Sequence, residues 1–428
     1  MNINIITLGC SKNLVDSEYL LRQFHSNGHQ VFHDASDMEA DIVILNTCGF
    51  ILDAKQESIE SILHYASMKK QGRIRKLIVM GCLSERYMSD LKKEISEVDG
   101  FFGVWDHKKI VEAIGLKYYH ELVNDRLITT PPHYAFLKIS EGCNRQCAFC
   151  AIPGIRGSQR SRSVDDLCEE ALNLTGRGAK ELILIAQDLT GYGTDLTGNK
   201  MLPELLRKLS ALDNIDWIRM HYAYPTGFPD EVIDIMASNP KVCNYLDIPI
   251  QHINNRILAM MKRGHDRNKM EKLLHSLRSK VSGVAIRTTL LVGFPGETDE
   301  EFEELYQFVK EFRFDRLGVF SYSHEKDTPA AGFDDDVPGD VKQARAGSIM
   351  ELQQDISLEI NQNKIGETFK VLIDREELDY YIGRTEHDAP EVDNEVLIEK
   401  QTPLKIGEFA KVIITGAEEF DLYGSAIS

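Results

Sequence analysis

The sequence predicts an α/β protein in three successive parts: a parallel-sheet α/β unit, an open (βα)6 partial barrel and a small antiparallel β-barrel of OB-like type. Three observations predict it. Short apolar runs alternate with amphipathic stretches from Ile3 to about Tyr322, the rhythm of parallel strands covered by helices. Pro131-Pro132, after the polar run Asn124 to Thr130, cannot continue a helix and breaks that rhythm into two series. From Asn363 to Ser428 the pattern changes to about five β-rich runs in 66 residues, which suits a small barrel.

In the first series, strand-like runs Ile3 to Leu8, Asp41 to Leu45 and Lys76 to Met80 alternate with helical stretches Asp16 to Ser26, Ala54 to Lys69 and Glu85 to Ile95. The second series offers strands at Tyr134 to Ile139, Glu181 to Ala186, Trp217 to Tyr222, Tyr245 to Ile250, Val284 to Val292 and Leu317 to Tyr322. Six units are too few to close a (βα)8 barrel, and ligands of such folds sit beyond the C-terminal strand ends. Asp340 to Asn361 has helical spacing through Ile349, Leu352, Ile356 and Ile360 and bridges to the last part. The terminal strands are expected at Thr368 to Ile373, Tyr380 to Gly383, Glu395 to Ile398, Ala410 to Thr415 and Leu422 to Gly424. The expected boundaries are 1–125, 133–362 and 363–428.

Of the 428 residues, 43% are hydrophobic and 27% charged, which excludes disordered, collagen-like and coiled-coil chains. No apolar run approaches the roughly 18 residues of a bilayer span, and the N-terminus lacks the basic and apolar regions of a secretory signal, so a soluble cytoplasmic protein is expected. The formal charge of −18 disfavours generic binding to nucleic acid or anionic membrane. In such a setting eight cysteines read as packing residues, nucleophiles or metal ligands, not disulfides.

Cys143, Cys147 and Cys150 form C-x3-C-x2-C directly after the first barrel strand. Three clustered thiolates fit an iron–sulfur cluster; zinc is the rival, but structural zinc commonly takes four ligands as paired knuckles. With Phe149 before the last cysteine, the triplet resembles the signature of the radical S-adenosylmethionine (SAM) superfamily. The resemblance implies a 4Fe-4S cluster whose open iron binds the methionine part of SAM, and whose electron cleaves SAM to methionine and a 5′-deoxyadenosyl radical. It further implies SAM contacts from Gln187, where the superfamily often has Gly-Gly-Glu, from Arg219 and Arg287 to the carboxylate, and from the Gly293 to Glu297 loop. For each arginine a plain salt bridge is the alternative.

Cys10, Cys48 and Cys82 each follow a strand-like run of the first series, so all three emerge at one edge of a parallel sheet. A second cluster and ordinary packing are both open on spacing alone; Cys168 and Cys243 read as packing residues. Adding Cys10-Ser11-Lys12-Asn13, Asn46-Thr47-Cys48, Gly154-Ile155-Arg156-Gly157 and Pro249-Ile250-Gln251-His252, the chain resembles the methylthiotransferases over nearly its whole length. That resemblance implies a C-terminal TRAM domain, a second 4Fe-4S cluster on Cys10, Cys48 and Cys82, and replacement of an unactivated C–H by C–S–CH3. One SAM would supply the radical and another the methyl group, in a cavity that His252 could line.

The family divides between a tRNA adenosine and an aspartate of small-subunit ribosomal protein twelve. Residues 363–428 hold 7 Lys plus Arg and 15 Asp plus Glu, a net −8. A tRNA-gripping barrel should be basic, whereas an acidic one suits a basic ribosomal protein. Cys150-Ala151-Ile152-Pro153 and the run Gly383 to Asp393 also resemble the ribosomal-protein branch. The expected partners are therefore that protein, bound mainly through the terminal domain, and an electron donor, with neither membrane nor nucleic acid as a direct partner. The alternatives are the tRNA enzyme and a non-catalytic iron–sulfur protein.

Overall fold

A computed structural model describes residues 1–35 and 40–427. Its N-terminal sheet has five parallel strands in the order Gln30–His33, Asn2–Thr7, Ile42–Thr47, Lys76–Gly81 and Gly100–Phe101. Ile3, Ile5, Ile42, Ile44 and Ile78 face one helical layer, while Val43, Leu45, Leu77 and Val79 face the other. Because alternate side chains leave a strand on opposite faces, these unbroken apolar runs build two cores from one sheet. The edge strands Gln30–His33 and Gly100–Phe101 escape a hydrophobicity reading because one is partly polar and the other is two residues long. The first helix runs Ser11–Ser26, five residues earlier than expected, because its first turns bury the polar residues Lys12, Asn13, Asp16 and Ser17.

The central sheet has six parallel strands in sequential order: Tyr134–Lys138, Glu181–Ile185, Trp217–Met220, Val242–Asp247, Ala285–Val292 and Arg316–Ser321. It does not close, as expected of six units. The fourth strand lies three residues earlier than the sequence reading placed it. Pro249 cannot donate to a ladder, and Gln251 at φ 71° turns the chain aside, leaving only the bridge from Gln251 to Leu290.

Helix Gly339–Gln362 packs Ile349 and Ile356 into the central core and leads to the terminal barrel. Five strands, Thr368–Glu376, Tyr380–Arg384, Glu395–Glu399, Phe409–Ala417 and Asp421–Ile427, close that barrel. Its pairings are antiparallel except one: the last strand inserts between Glu395–Glu399 and Phe409–Ala417 and runs parallel to the former. The barrel seats against the N-terminal ends of the central strands. There Leu372, Ala389 and Phe409 pack on Trp217, Cys243, Tyr245 and Ala285.

Candidate functional site

The three N-terminal cysteines leave neighbouring parallel strands at the same end. Cys10 precedes helix Ser11–Ser26, Cys48 follows strand Ile42–Thr47, and Cys82 opens helix Cys82–Glu94. Glycines let these turns converge. Gly9, at φ 94°, would place a Cβ 2.7 Å from the Cys48 Cβ, and Gly81, at φ 97°, would place one 2.5 Å from the Thr47 carbonyl oxygen. Burial pushes the Cys82 thiol up to about 12 and also raises Cys48; charge on Cys10 would raise both further. Such thiols stay protonated until a cation replaces the proton, as metal coordination does.

Cys143, Cys147 and Cys150 lie on the loop after strand Tyr134–Lys138, at the C-terminal end of the central sheet. Burial pushes Cys143 up to about 11 and Cys150 up to about 12, and charge on Cys147 would raise each. The backbone N–H of Arg145 donates to Cys143 Sγ at 3.4 Å, and Arg263 Nη1 donates to Cys147 Sγ at 3.3 Å. Tyr224 Oη stands 3.5 Å from Cys147 Sγ, with the Arg145 and Arg263 guanidinium groups over its ring. Cation-bearing donors to sulfur favour thiolate ligation.

Among the described residues, no three His, Cys, Asp or Glu side chains converge on the point that a single metal ion would occupy. Small residues, sulfur-only donors and three thiols per group all suit a 4Fe-4S cluster with one iron left open.

The two cysteine groups meet across the interface of the first two units. Cys82, Val104, Ala151 and Ile155 share one small core, so the residue after Cys150 packs beside Cys82. Arg156, buried and on the same short helix, donates to Cys82 Sγ at 3.3 Å and to Asn13 Oδ1 at 2.5 Å, and pairs with Glu141 at 2.7 Å. Lys138 pairs with Glu141 at 2.7 Å and with Asp16. The two cations hold the Glu141 carboxyl well below the usual carboxylate range. A cavity of about 520 Å³ lies behind this network, lined by Asp16, Tyr19, Trp105, Lys138 and Glu141, and no cysteine opens onto it.

Of the expected SAM contacts, Phe149 and Gly293 lie in the same region. Phe149 packs against the small core that holds Ala148, Met261 and Phe294, and Gly293 is at φ 69°, its N–H donating to both Glu297 carboxylate oxygens at 3.0 Å. Glu297 is thereby occupied: it also binds Arg345 at 2.7 Å and so braces the loop from behind. Gln187 donates to Glu141, and its Oε1 is buried without a partner.

Arg219 and Arg287 lie elsewhere. Arg219 is fully buried, donating to Glu181 at 2.6 Å and to the Glu386 carbonyl at 2.6 Å, and Arg287 pairs with Asp247 and Asp393. Both belong to the seam with the terminal barrel, so the salt-bridge alternative describes them. Both turn toward the terminal barrel and away from the cysteine end.

His252 is buried, accepts from the Asn254 N–H at 3.0 Å and is held neutral, its pKa lowered to about 3 by burial. Cys243 is buried in the seam and Cys168 packs on the central core. Arg156, Arg263 and Tyr224 have no predicted role in the sequence. Arg156 falls in Gly154-Ile155-Arg156-Gly157 and Arg263 in Met261-Lys262-Arg263, motifs that could have flagged them, whereas nothing marks Tyr224.

Comparison with known proteins places these features. The chain matches the uncharacterized protein family UPF0004 at residues 2–103, the radical SAM superfamily at 137–309 and the TRAM domain at 365–427. It is similar to curated proteins named ribosomal protein uS12 methylthiotransferase RimO. The one from Flavobacterium johnsoniae is 54% identical over 424 residues, covering 99% of this chain and 97% of that protein. The one from Bacteroides thetaiotaomicron is 50% identical over 428 residues, covering 100% and 98%. Among solved structures, the radical SAM methyltransferase TsrM from Kitasatospora setae aligns with a TM-score of 0.56 at 12% identity. That alignment covers 88% of this chain and 79% of the other, and shows a shared fold. With half of its residues identical to these relatives along its whole length, the chain belongs to the ribosomal protein uS12 methylthiotransferase family of radical SAM enzymes.

Proposed function

We propose that this enzyme methylthiolates the β-carbon of an aspartate in ribosomal protein uS12, with Cys143, Cys147 and Cys150 holding one 4Fe-4S cluster and Cys10, Cys48 and Cys82 a second. The observation that carries the reading is the contact of the two cysteine groups through Ala151, Arg156 and Cys82. When bound, SAM and the clusters supply the radical that takes the hydrogen and the sulfur and methyl group that replace it. The chain's own contribution is placement: two groups on different units must meet one carbon at near-contact distance, and the Asp16, Lys138, Glu141 and Arg156 network fixes the units' relation. Phe149 and Gly293 would line the SAM side, and Gln187 is kept as a contact through its unpartnered Oε1.

The finer assignments rest on the same reading. The partner is the basic ribosomal protein, met by the outer face of the terminal barrel, where Glu376, Glu377, Asp379 and Glu418 are exposed. That barrel sits at the opposite end of the central strands from the cysteines, so its grip is remote from the reacting carbon. An electron donor completes the reaction, which we place in the cytoplasm. No helix among the described residues is long and apolar enough to cross a membrane. We place the domain boundaries at 1–125, 133–362 and 363–428, a division supported by the separate five-stranded sheet, six-stranded sheet and closed barrel.

The test is anaerobic incubation of reconstituted enzyme with SAM and reductant, offering small ribosomal subunits and unmodified tRNA separately, with mass spectrometry of both. Methylthiolation of a uS12 aspartate, abolished by Cys143→Ala, is expected. Modification of tRNA alone would refute the substrate assignment.

A further inference from the structure

Lys12 stands two residues after Cys10 in the first turn of helix Ser11–Ser26, and it is only 7% exposed. The other buried lysines and arginines among the described residues all have a carboxylate, carbonyl or thiol acceptor. Lys138 has Asp16 and Glu141, Arg156 has Glu141, Arg263 has Cys147 and Lys342 has Asp335. Among the described residues the Lys12 ammonium has neither hydrogen bond nor ion pair; it lies over the Tyr222 ring, 2.9 Å from the centroid. A cation removed from water without an anion is costly, and a ring face offsets only part of that cost.

The ring that receives it is itself held in an unusual place. Tyr222 follows strand Trp217–Met220 at the C-terminal end of the central sheet, with φ at 64°, a conformation rare for a bulky residue. It is fixed there by its N–H donating to Asp247 at 3.1 Å and its carbonyl accepting from Leu189 at 3.1 Å. Asp247, the nearby anion, is already committed to Arg287 at 3.2 Å. Lys12 therefore bridges the two units on the side of the cysteines, with its charge unanswered.

We infer that Lys12 forms a subsite for the carboxylate of the substrate aspartate. The inference rests on the reading under Proposed function and deepens it. In aspartate the carboxylate carbon is bonded directly to the β-carbon, so an ammonium that takes the carboxylate fixes the carbon to be modified. It also supplies the missing anion for a buried charge, so that aspartate is favoured over a neutral side chain. Lys12, Tyr222 and Cys10 would then stand on one side of the bound aspartate.

The experiment uses full-length reconstituted enzyme without reductant, and uS12 carrying either its target aspartate or asparagine there. Binding is measured for wild type, Lys12→Met and Lys12→Arg, with iron counted in each. Wild type is expected to bind the aspartate form about thirtyfold or more tighter than the asparagine form. Lys12→Met should lose that ratio, and Lys12→Arg should keep part of it. An undiminished ratio in Lys12→Met overturns the inference, as does loss of iron in that variant, which would make Lys12 a support of the cluster site. If wild type modifies uS12 and the ratio persists in Lys12→Met, only the Lys12 subsite fails. If wild type modifies tRNA alone, the proposed function fails and the subsite with it.

Discussion

Replacing Glu181 by Gln tests whether buried charge holds the terminal barrel in place. The Glu181 carboxylate is fully buried at the start of the second central strand and accepts from Arg219 Nε at 2.6 Å and from Arg384 Nη1 at 2.9 Å. The change leaves the shape intact and removes one negative charge. Arg384 keeps Asp374, at 2.6 Å and 2.9 Å. Arg219 keeps the carbonyls of Glu386 and Thr385 and the rings of Trp217 and Tyr245, with no anion. One uncompensated buried charge sits at the lower end of the cost of breaking such a pair, about 3 kcal/mol, or roughly a hundredfold in the docked-to-undocked ratio. A chain with several units need not unfold in one step, so amide hydrogen exchange in Thr368–Glu376 and Tyr380–Arg384 is the suitable measure. Exchange there should rise by about a hundredfold, and Arg219→Met in the same chain should recover much of it by removing the orphaned cation. A rise of less than about threefold, or no recovery, would refute the view that this network docks the barrel.

Three further outcomes are expected. Reconstituted wild type should hold about eight irons per chain, and replacing either all of Cys10, Cys48 and Cys82 or all of Cys143, Cys147 and Cys150 by Ala should leave about four, by iron assay and electron paramagnetic resonance. Gly293→Ala forces a side chain at φ 69° toward Lys342 Cγ and should cost about 1–3 kcal/mol locally, seen as weaker SAM binding by calorimetry with little change in iron. His252 has a folded pKa lowered to about 3 against an ordinary 6.5, so the unfolded chain binds its proton first as pH falls. Its contribution is complete above pH 6.5 and is lost progressively toward pH 3. His252→Gln should flatten the fall in urea midpoint between pH 6.5 and 5, and an unchanged slope would place the sensitivity elsewhere.

What was legible in the sequence is what repeats or clusters. Apolar runs such as Ile42 to Leu45 and Leu182 to Ala186 mark buried parallel strands because both faces of such strands are covered. The triplet at Cys143, Cys147 and Cys150 is local, so spacing alone carries it. The group of Cys10, Cys48 and Cys82 is not local, yet it was legible because the strand before each thiol fixes the edge from which it emerges. Charged residues within strands stay ambiguous for the opposite reason. Arg219 and Arg287 look alike in a site or in a seam, and only the arrival of Glu386 and Asp393 from a distant segment decides between them. Lys12 lies within the Cys10-Ser11-Lys12-Asn13 motif, but its missing partner is a property of the assembled interface.

The two ends of the central sheet carry different kinds of charge, and that contrast orders the whole molecule. At the N-terminal strand ends, Arg287 and Arg316 find carboxylates of the terminal barrel at Asp393 and Asp388, Arg384 of that barrel finds Glu181 of the central sheet, and Arg219 pairs with Glu181 on the neighbouring central strand. These pairs give the terminal barrel's inner face a structural role. At the opposite end, among the described residues, Lys12 has no anion and Gln187 Oε1 has no donor, while Arg156 donates to Cys82 and Arg263 to Cys147. Completed networks resist rearrangement, whereas unanswered groups await a ligand. The unpaired end coincides with the one where the two cysteine groups meet, so the chemistry is confined to that interface and the rest of the chain keeps it in register.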